Sequence, residues 1–346
     1  MKQGTALLEV LRNWQEAYRL RWKRRRLLWR SFRSRHQLEC VSDRTEVIPK
    51  NPILCFATMR DEMLRLPYYL DHYRCSGVSH FFIVVNDSSD GTEEYLKQQS
   101  DVSVWTTDAS YRESRFGVDW LTWLQIKYGD GAWCLTADAD EILVYPYSEQ
   151  RSLRDLTEWL DQVGAPAFGA LMLDMYPRGA IGDQEYSPGD DPFETLNWFD
   201  GEGYTWERLA RYRLISIRGG PRKRLFFKDN PDHAPHLHKV PLIRWSRRYA
   251  YISSAHIVLP RHLNSVFDAR EQLPTGVFLH SKFLGEVIQK SVEEKQRKQH
   301  FTHSGRYQSY YNRLIENPDL WCKSSQAYEG WEQLESLGLM TRGKWD

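Results

Sequence analysis

Between residues 53 and 141 short apolar runs alternate with segments of helical period, and this alternation restricts the fold more than any other feature. The runs at 53–58, 80–85, 102–105 and 133–136 are too short for core helices and read as strands buried on both faces. The stretches at 60–73, 92–99 and 117–128 space their apolar residues three and four apart, as helices with one buried side do. Strand and helix in repetition predict βαβ units with right-handed crossovers, hence an α/β fold with a mostly parallel sheet flanked by helices. A helix over 152–163, capped by Ser152, and a fifth strand over 168–173 continue the pattern. Further on, 206–227 reads as a hairpin about Gly219-Gly220-Pro221, 249–259 and 277–279 as strands, and 283–300 as a helix.

The fourth strand ends in Asp138-Ala139-Asp140-Glu141, three carboxylates within four residues. Such groups repel one another, and burying them unpaired is costly. A hard divalent cation holds them together, because it prefers carboxylate oxygens. The position agrees, since open α/β sheets bind ligands outside the carboxyl ends of their strands. Asp138 and Asp140 are therefore candidate ligands for Mn2+ or Mg2+. Glu141 either ligates or orients a neighbouring group. His236-Leu237-His238 has a spacing found in zinc sites, although a proline-rich loop also accommodates solvated histidines.

The first 36 residues carry 11 Lys+Arg against 2 Glu, a net charge of +9, so the rest of the chain carries −8. Over 5–38, Leu7, Leu11, Trp14, Tyr18, Trp22, Trp29 and Phe32 follow a near-helical spacing among arginines. Two partners stay open for this segment: an anionic membrane interface, or a protein surface against which the helix docks. No nucleic-acid module accompanies the charge. Residues 41–51 read as a linker, which gives a basic segment over 1–45, a main domain over 50–300 and a helical extension over 301–346. The five cysteines are scattered and odd in number, which points to a reducing compartment. With no apolar leader segment and no apolar stretch of membrane-spanning length, the expectation is a cytoplasmic chain, at most peripheral on the inner membrane face.

Three strand-end loops carry a family resemblance. Thr58-Met59-Arg60-Asp61-Glu62 follows strand one, Asp87-Ser88-Ser89-Asp90-Gly91-Thr92 follows strand two, and Asp138-Ala139-Asp140 follows strand four. In this order and spacing they resemble the family 2 glycosyltransferases. Leu173-Asp174-Met175-Tyr176-Pro177, Gly219-Gly220-Pro221-Arg222 and Leu279-His280-Ser281-Lys282-Phe283 look like a bacterial surface-polysaccharide subfamily. The likeness spans roughly residues 50–300 and is concentrated in its first third. One departure is that Val85 and Asn86 stand where family members commonly carry an acid, which moves the nucleoside contact to Asp87 and Asp90.

The resemblance implies a GT-A-like nucleotide-sugar domain, a divalent metal on the donor diphosphate, and inverting transfer to a hydroxyl of a saccharide or lipid-linked acceptor. It also implies a late histidine on the metal, with His256 and His280 as the competitors. Arg60, Asp61 and Glu62 would meet the donor, although carboxylates at a helix start favour the dipole regardless of function. Asp90 serves equally as a turn cap. Arg222 and Lys282 are candidate phosphate contacts. The acceptor needs a general base within hydrogen-bond reach, and Asp174, at the end of the fifth strand, and Asp200, in the long loop, are the candidates, with Glu194 a rival. Two alternatives remain: an inactive GT-A-like binding or scaffold protein, and a metal-dependent nucleotidyltransferase. The second is disfavoured because Thr58-Met59-Arg60-Asp61-Glu62 lacks the glycines of a phosphate loop.

Overall fold

The computed structural model describes residues 2–268, 270, 272–297 and 308–346, with side chains from residue 13 onward apart from 294–297 and 308–309. Nine strands form one sheet: β1 Glu39–Ser42, β2 Ile53–Met59, β3 His80–Asn86, β4 Val102–Thr107, β5 Trp133–Thr136, β6 Glu141–Val144, β7 Ala167–Asp174, β8 His238–Arg244 and β9 Thr275–His280. Their order is β1-β4-β3-β2-β5-β8-β7-β9-β6. Six of the nine run the same way; β1, β8 and β6 oppose their neighbours. The expected α/β architecture with a mostly parallel central sheet is present.

Alternation along β2 explains the layering. Ile53, Cys55, Ala57 and Met59 pack to one side with the helices α2 Leu66–Cys75 and α5 Leu153–Gln162. Leu54 and Phe56 pack to the other with α4 Val118–Tyr128, and Phe56 stacks on Phe82 at 4.8 Å. The remaining early helices are α1 Lys2–Ser34 and α3 Thr92–Lys97. Later come α6 Val287–Arg297, α7 Gln308–Ile315 and α8 Trp331–Ser336. Ser152 caps α5 in a capping box with Asp155, as its sequence predicts.

Four expectations need correction. The helix expected over 60–73 begins only at Leu66, because Pro67 fits the first helical turn and residues 60–65 are drawn into a loop. Residues 41 and 42, expected at the start of a linker, instead end the strand Glu39–Ser42, which pairs antiparallel to β4. The hairpin pairs Thr205–Leu209 with Leu214–Arg218 and turns at 210–213, where Arg213 takes the left-handed conformation. Gly219-Gly220-Pro221 instead leads into a helical turn at Arg222–Phe226. The helix expected over 283–300 starts at Val287, and its last three residues lie outside the described residues, as do 301–307 of the expected C-terminal extension. The described part of that extension is no appendage: Trp331, Leu334, Met340 and Trp345 share the core of β6 and β9.

Candidate functional site

The parallel strands β2, β3, β5, β7 and β9 end at one edge of the sheet, and β8, running oppositely, begins there. A cleft of about 770 Å³ opens along this edge, within the size range of small-molecule sites. Asp140 and Glu141 enter it after β5, and His280 ends β9. In the sheet register His280 lies opposite Asp174 of β7 and opposite Glu141 of β6.

The 138–141 loop is fixed from below. Tyr69 donates to the Ala137 carbonyl at 2.9 Å and Tyr73 to the Glu141 carbonyl at 2.8 Å. The Ser281 amide donates to the Asp140 carbonyl at 2.8 Å. His280 Nε2 stands 3.0 Å from Asp140 Oδ2, and Nδ1 stands 2.7 Å from Asp174 Oδ1. The other Asp174 oxygen accepts from Arg222 Nε at 2.7 Å. Burial alone would raise the Asp140 pKa; the His280 charge, with Lys282 and Arg65, outweighs it and holds the carboxylate well below its usual range. Burial likewise opposes ionisation of Asp174, but Arg222 and His280 keep its pKa lowered. The two carboxylates overcome the desolvation of His280 and raise its pKa.

Asp140, Glu141 and His280 each offer a ligand atom within 4.8 Å of the others. Two carboxylates and one imidazole suit a divalent ion of the Mn2+ kind, and Asp174 on Nδ1 is the partner that a metal-bound histidine needs on its far nitrogen. The residues present therefore fit the expected ion. Asp138 stands beside this group with Lys239 Nζ at 3.5 Å, and its partial burial and the Glu141 charge raise its pKa. Lys239, itself buried, pairs with Glu141; that pairing and Asp138 outweigh its desolvation and raise its pKa. His256 stands apart from the cluster. Its Nδ1 is 2.6 Å from the His238 carbonyl, and burial, followed by Lys239 and His238, holds its pKa well below the usual value. His236 and His238 face each other at 5.3 Å between ring centres, and among the described residues neither joins a metal-capable group.

The two upstream loops interlock. Ser88 Oγ, Thr92 Oγ1 and Asp90 Oδ2 accept from the amides of Asp61, Glu62 and Met63 at 3.0, 3.0 and 2.9 Å. Asp61 Oδ1 in return accepts from the Ser89 amide at 2.7 Å. The other Asp90 oxygen accepts from the Thr92 amide and hydroxyl. Both of its oxygens are thus engaged in fixing the loops, so Asp90 is a cap here. Asp87 is held by Arg60 at 2.8 Å and stays outside the cleft wall, which Arg60, Asp61, Glu62 and Asn86 line. Glu62 bonds Arg65 and Lys290 rather than starting a helix.

Both candidate bases prove to be tied down. Asp174 is covered by Arg222 and His280. Asp200 is buried, receives Arg224 on both oxygens, and also accepts from Tyr176. Neither lines the cleft, and Glu194 does not either. Arg222 and Lys282 do. Lys282 has no hydrogen bond or ion pair among the described residues; burial lowers its pKa, Asp140 opposes this and Arg222 adds to it. Arg65 and Asp232 also line the cleft and are not among the expected site residues; Lys239, a phosphate candidate passed over in favour of Lys282 and Arg222, lines it too. Lys239 carried a legible signal, because a lysine inside the apolar run of β8 is rare without a buried partner.

No family model and no curated protein matches the sequence. Among solved structures, one of 4-diphosphocytidyl-2C-methyl-D-erythritol synthase is similar at 18% identity and a TM-score of 0.26, covering 41% of this chain and 66%, just under two thirds, of that one. A Bacillus anthracis protein described as a candidate glucose-1-phosphate thymidylyltransferase, in complex with a sucrose, is similar at 8% identity and a TM-score of 0.30, covering 83% of this chain and 93% of its own. At such scores neither likeness carries an argument about the chemistry of this chain.

Proposed function

We propose that the chain is a metal-dependent glycosyltransferase that moves a sugar from a nucleotide-diphosphate donor to a saccharide or lipid-linked hydroxyl. The observation that carries this reading is the Asp140–His280–Asp174 line at the carboxyl edge of the sheet, facing a cleft that also presents Lys282, Arg222 and Arg60. Asp140, Glu141 and His280 would hold the ion, Asp174 would keep the proton on His280 Nδ1, and Lys239 would fix Glu141 in place. When bound, the ion acts as a Lewis acid on the leaving diphosphate. Lys282 and Arg222 meet the same developing charge from the protein side. Asp61 and Asn86 face the nucleoside part of the cleft. The acceptor proton passes to Asp232, a cleft carboxylate with no hydrogen bond or ion pair among the described residues, since Asp174 and Asp200 are engaged. On this reading the enzyme works at or near an inner membrane face, and residues 5–38 meet either lipid or another protein.

Thermal shift with nucleoside diphosphates and Mn2+ tests the donor site: stabilisation requiring both is expected, and no metal-dependent shift for any nucleotide would sink the reading. Asp140→Ala should lower transfer at least about a thousandfold while leaving the fold intact; retained turnover removes its metal role. A nucleotidyltransferase built on the same carboxylates would instead release pyrophosphate from a nucleoside triphosphate and a sugar phosphate, which a coupled assay separates from transfer.

A further inference from the structure

The helix α1 shows the outside world a surface that the cleft does not explain. It is seated firmly. Leu20 and Leu27 are buried with Ala250 and Leu259. Arg30 and Ser31 reach Asp119 of α4, and Phe32 meets Trp123 edge-on at 5.6 Å. At 3.6 residues per turn, Leu20, Leu27, Ser31 and Ser34 fall on one side and Trp14, Tyr18, Trp22 and Trp29 on the opposite one. Those four aromatics are 74%, 61%, 46% and 61% exposed. Arg19, Arg26 and Arg33 follow one flank of this crest, and Arg21 and Arg25 the other. Arg21, Lys23, Arg24, Arg25, Arg26 and Arg33 make no salt bridge among the described residues, whereas Arg19 and Arg30 do. The side chains of Leu7 and Leu11 lie outside the described residues.

We infer that this crest lies in the headgroup region of an anionic phospholipid bilayer. Tryptophan and tyrosine favour that region because their rings are apolar and their N–H or O–H groups stay wet. Arginines on both flanks then meet lipid phosphates, and an uncompensated positive segment is drawn to a negative leaflet. No helix among the described residues is long and apolar enough to cross a membrane, so α1 rests on the surface. A second copy of the chain is a poor occupant, because it would set one +9 segment against another. A nucleic-acid duplex fits less well, since its phosphates call for basic groups at the tip of the helix face, and here the tip is aromatic. The surface stands independently of the transferase reading, and its test needs no turnover.

Flotation of the full chain with vesicles of equal phosphatidylglycerol and phosphatidylcholine, against vesicles of phosphatidylcholine alone, reads it directly. The expected result is binding at least about tenfold tighter to the anionic vesicles, weakened by salt, with a blue shift of tryptophan emission. The combined substitution Trp14→Ser, Trp22→Ser and Trp29→Ser should remove the blue shift and most of the binding. Arg21→Gln, Arg25→Gln, Arg26→Gln and Arg33→Gln together should remove the preference for anionic lipid. Far-UV circular dichroism of both variants should match the parent, because the substituted residues are exposed. Equal affinity for both vesicles, no flotation of the folded parent, a stable dimer that loses its mass in the tryptophan variant, or duplex DNA binding without flotation would each overturn the inference.

Discussion

The imidazole of His280 commits its two nitrogens to carboxylates with different duties. Asp140 faces the cleft and Asp174 is sealed behind it by Arg222. Removing the hidden partner should loosen the histidine without removing a ligand. Asp174→Asn is therefore expected to weaken Mn2+ binding by about 10- to 100-fold, read by calorimetric titration, while Asp174→Glu retains part of it; an affinity unchanged in Asp174→Asn dismisses the orienting role. His80 offers a prediction away from the cleft. It is fully buried beside Ser103, and burial lowers its pKa to about 4, against weaker opposition from Asp101. The unfolded chain takes up a proton near pH 6.5, while the folded one stays neutral until about pH 4. Stability is thus fully present above pH 6.5 and declines as pH falls toward 4. Between pH 7 and 5 this group accounts for a loss of up to about 2 kcal/mol, which should be missing from urea unfolding of His80→Leu; the same pH dependence in that variant refutes the assignment. The carboxylates that gather at the cleft edge after β5 were legible in the sequence because charge at a strand end is unusual. Which carboxylates the cleft leaves unpaired was not, since Asp174 and Asp200 find their arginines 48 and 24 residues away.

The loop elements that form the cleft wall are held by close backbone approach as much as by side chains. Gly117 precedes α4 at φ 76°, and a Cβ there would lie 2.4 Å from Thr58 Oγ1 and 2.8 Å from Thr58 Cβ. Thr58 is at the cleft end of β2, one residue short of Arg60 and Asp61 across Met59. Gly117→Ala should therefore cost about 2 to 4 kcal/mol from the left-handed backbone and the clash together. It should also disturb nucleotide-dependent thermal stabilisation more than Ser152→Ala, which removes only a cap remote from the cleft and costs about 1 kcal/mol. Equal effects of the two on nucleotide stabilisation would show that β2 tolerates displacement there. The elements most legible in the sequence were β2 to β5 and α5, whose apolar period and capping residues are local signals. Residues 60–65 misled because their composition suits a helix start, while their amides are claimed by Ser88, Thr92 and Asp90 from a different loop. The edge strand β1 and the true turn of the hairpin were likewise hidden, because pairing to β4 and a non-glycine residue at positive φ leave little trace in sequence.

The chain closes on itself through its last residues. Trp331 and Trp345 flank Tyr147, with ring centres 4.7 and 5.8 Å away, and Trp345 also meets Tyr145. The Thr275 amide donates to the Thr341 carbonyl at 2.8 Å, so the tail grips β9 at its start. That strand ends five residues later at His280, and its neighbour β6 starts at Glu141. The terminal segment thereby supports the far ends of two strands whose near ends make the candidate metal group. Trp331→Ala would empty a buried aromatic site and is expected to cost about 3 to 5 kcal/mol, lowering the melting temperature by about 4 to 7 °C for a chain of this size. Removing residues 331–346 should cost more. It should also separate two readouts: the sheet under β2 to β4 keeps its own apolar layers, whereas the Mn2+ affinity, which depends on the seating of β6 and β9, should fall further in the truncation than in Trp331→Ala. A truncated chain that binds Mn2+ as the parent does and melts at the same temperature would show that the tail lies on the core without supporting the site.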